Sequence, residues 1–500
     1  MHPSVFLLFF KKTYNICYVT SAFSRIFDFL KTNRLTHLQF EHLNYNSMKA
    51  FFQFLCVSSL LFFLFFISSC KPDKTDEVVL SGDVASPEAA TKWGDMTMRM
   101  IYRLPLNSPT YTSRCLGYLG LTMYESVVQG SQTHKSVAKQ LNKLDFVPQI
   151  ESGKGYNWQL ALNAGQAIML KKLFALDNNQ RASIDSLEKA LETQYSAQET
   201  ADVIERSKAF GQNVANVIYL WSTVDGGFEG YLKNFSTDYV IPTGAGKWLP
   251  PKKSQSKSQL PLHPYWGSNR TFVAADATIP VPELIPYSTS RFSQCYAQFL
   301  EVYAKNQNLT QEEREIGAWW SDDPSEVYSP PGHSYNLGTI AIKTAKANLT
   351  VAAETYARIG LAAADAFINC WKVKYTYFSE RPSTYIRDNI DGSFVQYWPE
   401  PPFPAFSSGH STQAAAVAMV LTSIYGEPFP FTDNTHENRE RDTAQKVDFK
   451  IRKFNTFTEM AEECGYSRIL GGIHTPQDNV QGLAVGRKVG NNVNTLGWRK

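Results

Sequence analysis

No two of the seven cysteines stand in a C-x-x-C pair. Cys17, Cys56, Cys70, Cys115, Cys295, Cys370 and Cys464 are scattered along the whole chain. That spacing excludes a zinc ribbon and a dithiol redox motif. It leaves disulfides open among the last four, with buried free thiols as the default expectation. An excess of one charge is also missing: the formal net charge is +3 over 500 residues. The basic runs are short, Lys252, Lys253 and Lys257, then Lys446 to Lys453. They read as solvated faces and give no argument for a nucleic-acid partner. Stretches that alternate with period two are lacking, so an extended sheet is not expected. A phosphate loop is lacking as well. Gly244-Ala245-Gly246-Lys247 has neither the first Gly at the required spacing nor Ser or Thr after the Lys.

What is present is the material of a large core. Hydrophobic residues make up 43% of the chain and charged residues 19%, a globular composition. At this length two domains or one large one are expected. The first 47 residues look unlike a folded domain. Met48 and Lys49 then open an apolar run, Phe51 to Ile67, followed by Ile67-Ser68-Ser69-Cys70. The run has the length of a signal peptide, short for a membrane span. Its end resembles a bacterial lipobox, which implies cleavage before Cys70 and lipidation of its thiol. On that reading Met48 is the true start, residues 48–69 are the leader and 70–89 a tether. The mature chain then sits in the bacterial cell envelope, exported and held to the membrane only through its lipid. An uncleaved anchor helix is the second reading.

From Ala90 the apolar residues recur at helical spacing. Helices are expected over Trp93–Leu104, Thr112–Val128, Trp158–Leu176, Ala182–Gln194 and Gln198–Trp221. The expectation resumes at Ser290–Ala304, Gln311–Trp320, Asn336–Lys346 and Val351–Trp371. Small residues at Ala161, Ala164, Gly165 and Ala167 predict close helix contact. Between them, Asp225 to Thr271 is rich in Gly and Pro. A loop of that length is functional or wraps a neighbour. The fold class expected is all-α, a helical bundle. Its N-terminal helical region spans 90–330 and its catalytic bundle 331–500.

Three patches between Lys374 and Asp478 carry the chemistry. The first is K-Y-T-Y-F-S-E-R-P, Lys374 to Pro382. Lys374 offers a point charge and Arg381 a planar fork, a pair suited to a tetrahedral oxyanion. Lys and Arg on a surface turn are, taken alone, more often merely solvated. The second patch is Ser407-Ser408-Gly409-His410, opening an Ala-rich helix that runs to Tyr425 and stops at Gly426. A helix N-terminus presents free N–H groups to an anion. Ser408 adds a hydroxyl, Gly409 permits close approach, and His410 is placed to move a proton. An ordinary N-cap with a surface His is an equal reading of this patch alone. The third patch is S-R-I-L-G-G-I-H-T-P-Q-D, Ser467 to Asp478. Arg468 ends one helix, Thr475-Pro476 starts the next, and Asp478 lies close enough to orient His474. A His held by a carboxylate is set up as nucleophile or ligand, although such pairs at helix starts are often only structural.

Together the patches, K-x6-R-P, S-G-H and S-R-x5-H-x3-D, resemble the superfamily of vanadium haloperoxidases and type 2 phosphatidic acid phosphatases. One position departs: Ser407 stands where a Pro is usual, with no functional group lost. The GKWLPP and PYWG segments and the W-W-x-D-D-P and P-P-G-H run also look like the bacterial haloperoxidase-like branch. The resemblance implies that Lys374, Arg381, Ser408, Gly409 and Arg468 bind the oxygens of vanadate or phosphate. It implies His474 as vanadate ligand or phosphate-accepting nucleophile, His410 as general acid/base, and Asp478 as the group orienting His474. Trp371 and Phe403 match halide-pocket residues of chloroperoxidase-like members, with plain core packing as the competing reading. The favoured expectation is a vanadate-dependent oxidation of halide by hydrogen peroxide. The alternatives are hydrolysis of a phosphate ester through a phosphohistidine, without cofactor, and a non-catalytic lipoprotein that binds an oxyanion. Homo-oligomerisation is left open.

Overall fold

A computed structural model of the chain describes residues 81–500, except 103, 105–106 and 324–326. The leader, the lipobox and Cys70 lie outside the described residues. The fold is all-α, as expected. The first helices are α1 (Glu88–Tyr102), α2 (Pro109–Glu125), α3 (Trp158–Leu173), α4 (Asn178–Ser196) and α5 (Ala201–Ser222). After a long connection come α6 (Gln294–Gln307), α7 (Gln311–Trp319), α8 (Ser329–Ala345) and α9 (Leu349–Tyr377). The C-terminal part adds α10 (Pro382–Asn389), α11 (Gly409–Tyr425), α12 (Phe457–Leu470) and α13 (Pro476–Asn494).

The starts of these helices follow from short polar side chains. Ser108, Asn157, Thr200, Ser293, Asn348, Ser408, Thr456 and Thr475 each accept a hydrogen bond from a backbone N–H of the first turn. Asp177 and Thr310 close full capping boxes with Gln180 and Glu313. The burial that holds them comes from α9. It is buried on nearly every side from Leu349 to Lys374, the mark of a core helix. Its long neighbour is α2, and Gly360 makes their contact close: a Cβ there would lie 2.4 Å from the Leu116 carbonyl oxygen. The small residues of α3 do the same against α5, where a Cβ on Gly211 would collide with the Ala161 carbonyl. On the other side of α9 lies α11, itself packed along α13.

One expectation needs correction. Helix α9 runs to Tyr377, so Lys374 sits in its last turn rather than after it. Pro382 is the first residue of α10, and Arg381 before it is extended as the N-cap. His333 lies on α8, which starts at Ser329 with Pro330 and Pro331 in its first turn. Cys115, Cys295, Cys370 and Cys464 are buried free thiols with no disulfide among them, which is the default expectation. The strands described are one short antiparallel pair, β1 (Phe431–Asp433) and β2 (Arg452–Phe454). Among the described residues no helix is long and apolar enough to cross a membrane.

Candidate active site

Five helix ends meet around one cavity. Lys374 arrives on the last turn of α9 and Arg381 on the N-cap of α10. Ser408 caps α11, followed at once by Gly409 and His410. Arg468 comes from the last turn of α12, and His474 directly precedes the Thr475 cap of α13. The cavity has a volume of about 480 Å³, and Gly409, His410, Arg468, His474, Trp371 and Phe403 line it. Lys374, Arg381, Ser408 and Asp478 stand behind this wall, all buried.

The α13 turn fixes His474. Asp478 Oδ2 accepts from His474 Nδ1 at 2.9 Å and from the Thr475 backbone N–H at 3.0 Å. With the proton on Nδ1, the lone pair of Nε2 faces Arg381, whose Nη1 donates to it at 3.1 Å. The Arg381 fork is otherwise held by carbonyls of Phe403, Pro404 and Ile473. Lys374 Nζ donates to Pro404 and Ala405 carbonyls at 2.9 and 2.7 Å. The stiff Pro401–Pro404 segment is therefore the strut that aims both cations. Arg468 is anchored by one bond, Nη1 to the Trp320 carbonyl at 2.8 Å.

Burial and mutual repulsion among the cations set the electrostatics of the site. Burial, with the nearby Arg381, pulls the Lys374 ammonium down to about 7. Burial lowers Arg381 to about 10 and also lowers Arg468. Burial, then Arg381, Lys374 and Arg468, hold His474 far below its ordinary value, so it is neutral. His410 is depressed the same way by burial and by Arg468. Two nitrogens stay without any hydrogen-bond partner although buried, His410 Nε2 and Arg468 Nε. Unpaired buried donors and acceptors are costly. Three cations, a helix N-terminus and two orphaned nitrogens around one cavity fit a multiply charged oxyanion such as vanadate or phosphate.

The apolar side of the cavity is aromatic. Trp371 and Phe403 lie with ring centroids 4.9 Å apart, and Phe367 is 5.4 Å from Trp371. Phe403 also covers Lys374 Nζ and the Arg381 guanidinium, each 5.2 Å from its ring centre. The long Gly- and Pro-rich connection forms much of the mouth, through Asn234, Phe235, Ser254, Gln255, Ser256 and Leu262. Its length signalled a functional loop, while its individual lining residues carried no sequence signal. Asn107, Ser321 and Asp322 also line the cavity and were not expected there.

Comparison with known proteins places this geometry. Residues 354–497 match the family described as the VCPO second helical-bundle domain. The crystal structure of the first bacterial vanadium-dependent iodoperoxidase superposes with a TM-score of 0.71 at 28% identity, covering 83% of this chain and 97% of that one. The bundle over residues 354–497 and the fold around it are similar to those of the vanadium haloperoxidases, which supports the vanadium haloperoxidase and type 2 phosphatidic acid phosphatase superfamily. Two further solved relatives are more distant. The apo form of a bacterial vanadium-dependent chloroperoxidase gives a TM-score of 0.60 over 79% of this chain and 94% of its own. The holo form of a bacterial vanadium-dependent chloroperoxidase gives 0.61 over 85% and 98%. Both are 14% identical, a likeness of fold alone. No curated protein sequence matches. The matched residues 354–497 contain all three patches, Lys374–Pro382, Ser407–His410 and Ser467–Asp478.

Proposed function

We propose that the protein is a vanadate-dependent haloperoxidase, which oxidises halide with hydrogen peroxide. The observation that carries this reading is the pairing of an oxyanion cage with the Trp371–Phe403 wall in one cavity. The net reaction takes halide, hydrogen peroxide and one proton to hypohalous acid and water. Vanadate, when bound, supplies Lewis-acid activation of the peroxide without changing oxidation state. His474 Nε2 would ligate it. Lys374, Arg381, Arg468, the Ser408 hydroxyl and the Gly409 N–H would hold its oxygens.

The chain's own residues do the rest. Asp478 keeps the Nδ1 tautomer of His474, so that Nε2 is free to bind. Arg381 Nη1, which donates to Nε2 here, would be the N–H nearest to the oxyanion held there. His410 Nε2, buried and unpartnered, takes and returns the proton that the reaction consumes. The rings of Phe367, Trp371 and Phe403 keep water from one side of the cage. Iodide is the first halide to test, because the relative at 28% identity is an iodoperoxidase.

The test is a pair of assays on purified protein stripped of oxyanions. Halogenation of monochlorodimedone, or triiodide formation, is expected only after orthovanadate is added. Brisk hydrolysis of p-nitrophenyl phosphate that vanadate inhibits, with no halide oxidised, would instead assign the cage to phosphate esters.

A further inference from the structure

Apart from the oxyanion cage, a second cluster of potential ligands lies buried next to the cavity. Asp322 Oδ1 is 2.9 Å from His333 Nδ1 and 3.1 Å from His436 Nε2. One ligand atom from each of these three residues can be chosen so that all lie within 4.8 Å of one another. The residues come from three places: the segment after α7, helix α8, and the loop after β1. On its far side His333 Nε2 meets Asp433 Oδ2 at 2.9 Å, and Asp433 is held in turn by Trp319 Nε1 at 2.9 Å and by the Thr435 hydroxyl and N–H. Trp320 stacks on the His333 ring at 4.6 Å and 14°. Asp322 itself has φ +48, a left-handed conformation that a non-glycine residue adopts at a cost.

We propose that Asp322, His333 and His436 bind one divalent transition-metal ion, Zn²⁺ in the first instance, at a site distinct from the vanadate cage. Two nitrogens and one carboxylate oxygen are ligands of the type Zn²⁺ takes. A tetrahedral ion with bonds of about 2.0–2.1 Å needs ligand atoms about 3.3 Å apart, close to the spacing here. The proton between His333 Nδ1 and Asp322 leaves to solvent as the ion takes its place. Asp433 on the other nitrogen of His333 is the carboxylate that orients a ligating imidazole. Charge argues the same way. Asp322 and Asp433 are buried carboxylates, and among the described residues their ion-pair partners are His333 and His436 alone. Even with His333 as an imidazolium, the two carboxylates leave one net negative charge in the cluster, which a divalent cation exchanging for the proton between His333 and Asp322 would offset. A route in exists, since His436 lines a second cavity of about 500 Å³.

The ion would serve the cage. The Trp320 ring rests on His333, and the Trp320 carbonyl is the anchor of Arg468. Asp322 itself lines the catalytic cavity. Fixing these two residues fixes the wall from which Arg468 reaches the oxyanion.

The experiment reads metal, not turnover, so it is independent of the haloperoxidase assignment. Full-length protein purified without chelator is dialysed and analysed for zinc, iron, manganese, nickel, copper and vanadium. Chelator-stripped protein is then titrated with Zn²⁺ by calorimetry. About one divalent ion per chain is expected, or uptake of one Zn²⁺ after stripping. His436→Gln and Asp322→Asn should each cut the bound zinc at least tenfold, with helical circular dichroism unchanged. Wild-type protein that holds no divalent ion as purified, and takes up none from millimolar Zn²⁺, overturns the proposal. The cluster is then an imidazolium clamped between two carboxylates. Zinc retained by both variants overturns it too.

Discussion

Asp478 Oδ2 accepts two hydrogen bonds at once, from His474 Nδ1 and from the Thr475 backbone N–H. The same carboxylate thus shapes the start of α13 and the tautomer of the ligand His. Asp478→Ala removes the acceptor and frees the ring to rotate or to protonate at Nε2. Loss of such a carboxylate typically weakens metal affinity about 10–100-fold. Equilibrium titration with orthovanadate should show a loss of that size. Asp478→Asn, which keeps an acceptor oxygen, should lose less.

Lys374 gives the pH dependence. Burial lowers its pKa to about 7, so its charge is present below that value and lost as pH rises through it. Affinity for the oxyanion should therefore weaken from pH 6 to pH 9 as the ammonium is lost. Orthovanadate ionises over the same range, so the informative comparison is with Lys374→Met. In that variant affinity is lower at pH 6, and the extra slope near pH 7 disappears.

His410 is the residue whose loss should spare binding. Its Nε2 makes no hydrogen bond within the chain, so His410→Ala leaves the other cage contacts in place. A positioned acid/base contributes about 10²–10⁴-fold to rate. Turnover should fall in that range while vanadate affinity changes by less than about tenfold. The pH profile should also lose one limb.

Much of this site could be read in the sequence because it is built on helix ends. Ser408-Gly409, Thr475-Pro476 and the Gly471-Gly472 stop carry local capping chemistry, and α12 and the start of α11 fall where those residues place them. Arg381 was legible as a cation, but not as an N-cap: Pro382 disfavours helix before it and favours helix after it, and only the second effect made α10. The sequence pattern ends α9 at Trp371, and Tyr375, Thr376 and Tyr377 are poor helix formers, yet the helix runs to Tyr377. Packing overrode that preference. The contacts of His333 with Asp433 and of Asp322 with His436 join residues about a hundred positions apart, and no local pattern encodes such a meeting.

Gly486 tests the packing that positions His410. A Cβ there would lie 2.0 Å from the Thr412 carbonyl oxygen and 2.9 Å from Ala415 Cβ. Gly486→Ala must therefore push α13 away from α11, the two helices whose starts carry His474 and Ser408. Overpacking of this kind costs about 1–3 kcal/mol. A lowered urea midpoint with an unchanged slope should report it, and vanadate affinity should fall together with stability.

The proposed export rests on residues 48–70. In a bacterial host, radiolabelled palmitate should enter the wild-type chain and not Cys70→Ala. Equal labelling of both, or of neither, contradicts lipidation at that thiol.

The central claim is that His474 and its ring of cations hold vanadate for halide oxidation. The most direct measurement is triiodide formation by stripped protein titrated with orthovanadate in iodide and hydrogen peroxide. Activity should rise from background to a plateau at about one vanadate per chain, and His474→Ala should stay at background throughout. Activity independent of vanadate, or a His474→Ala variant that follows the wild-type curve, would contradict it.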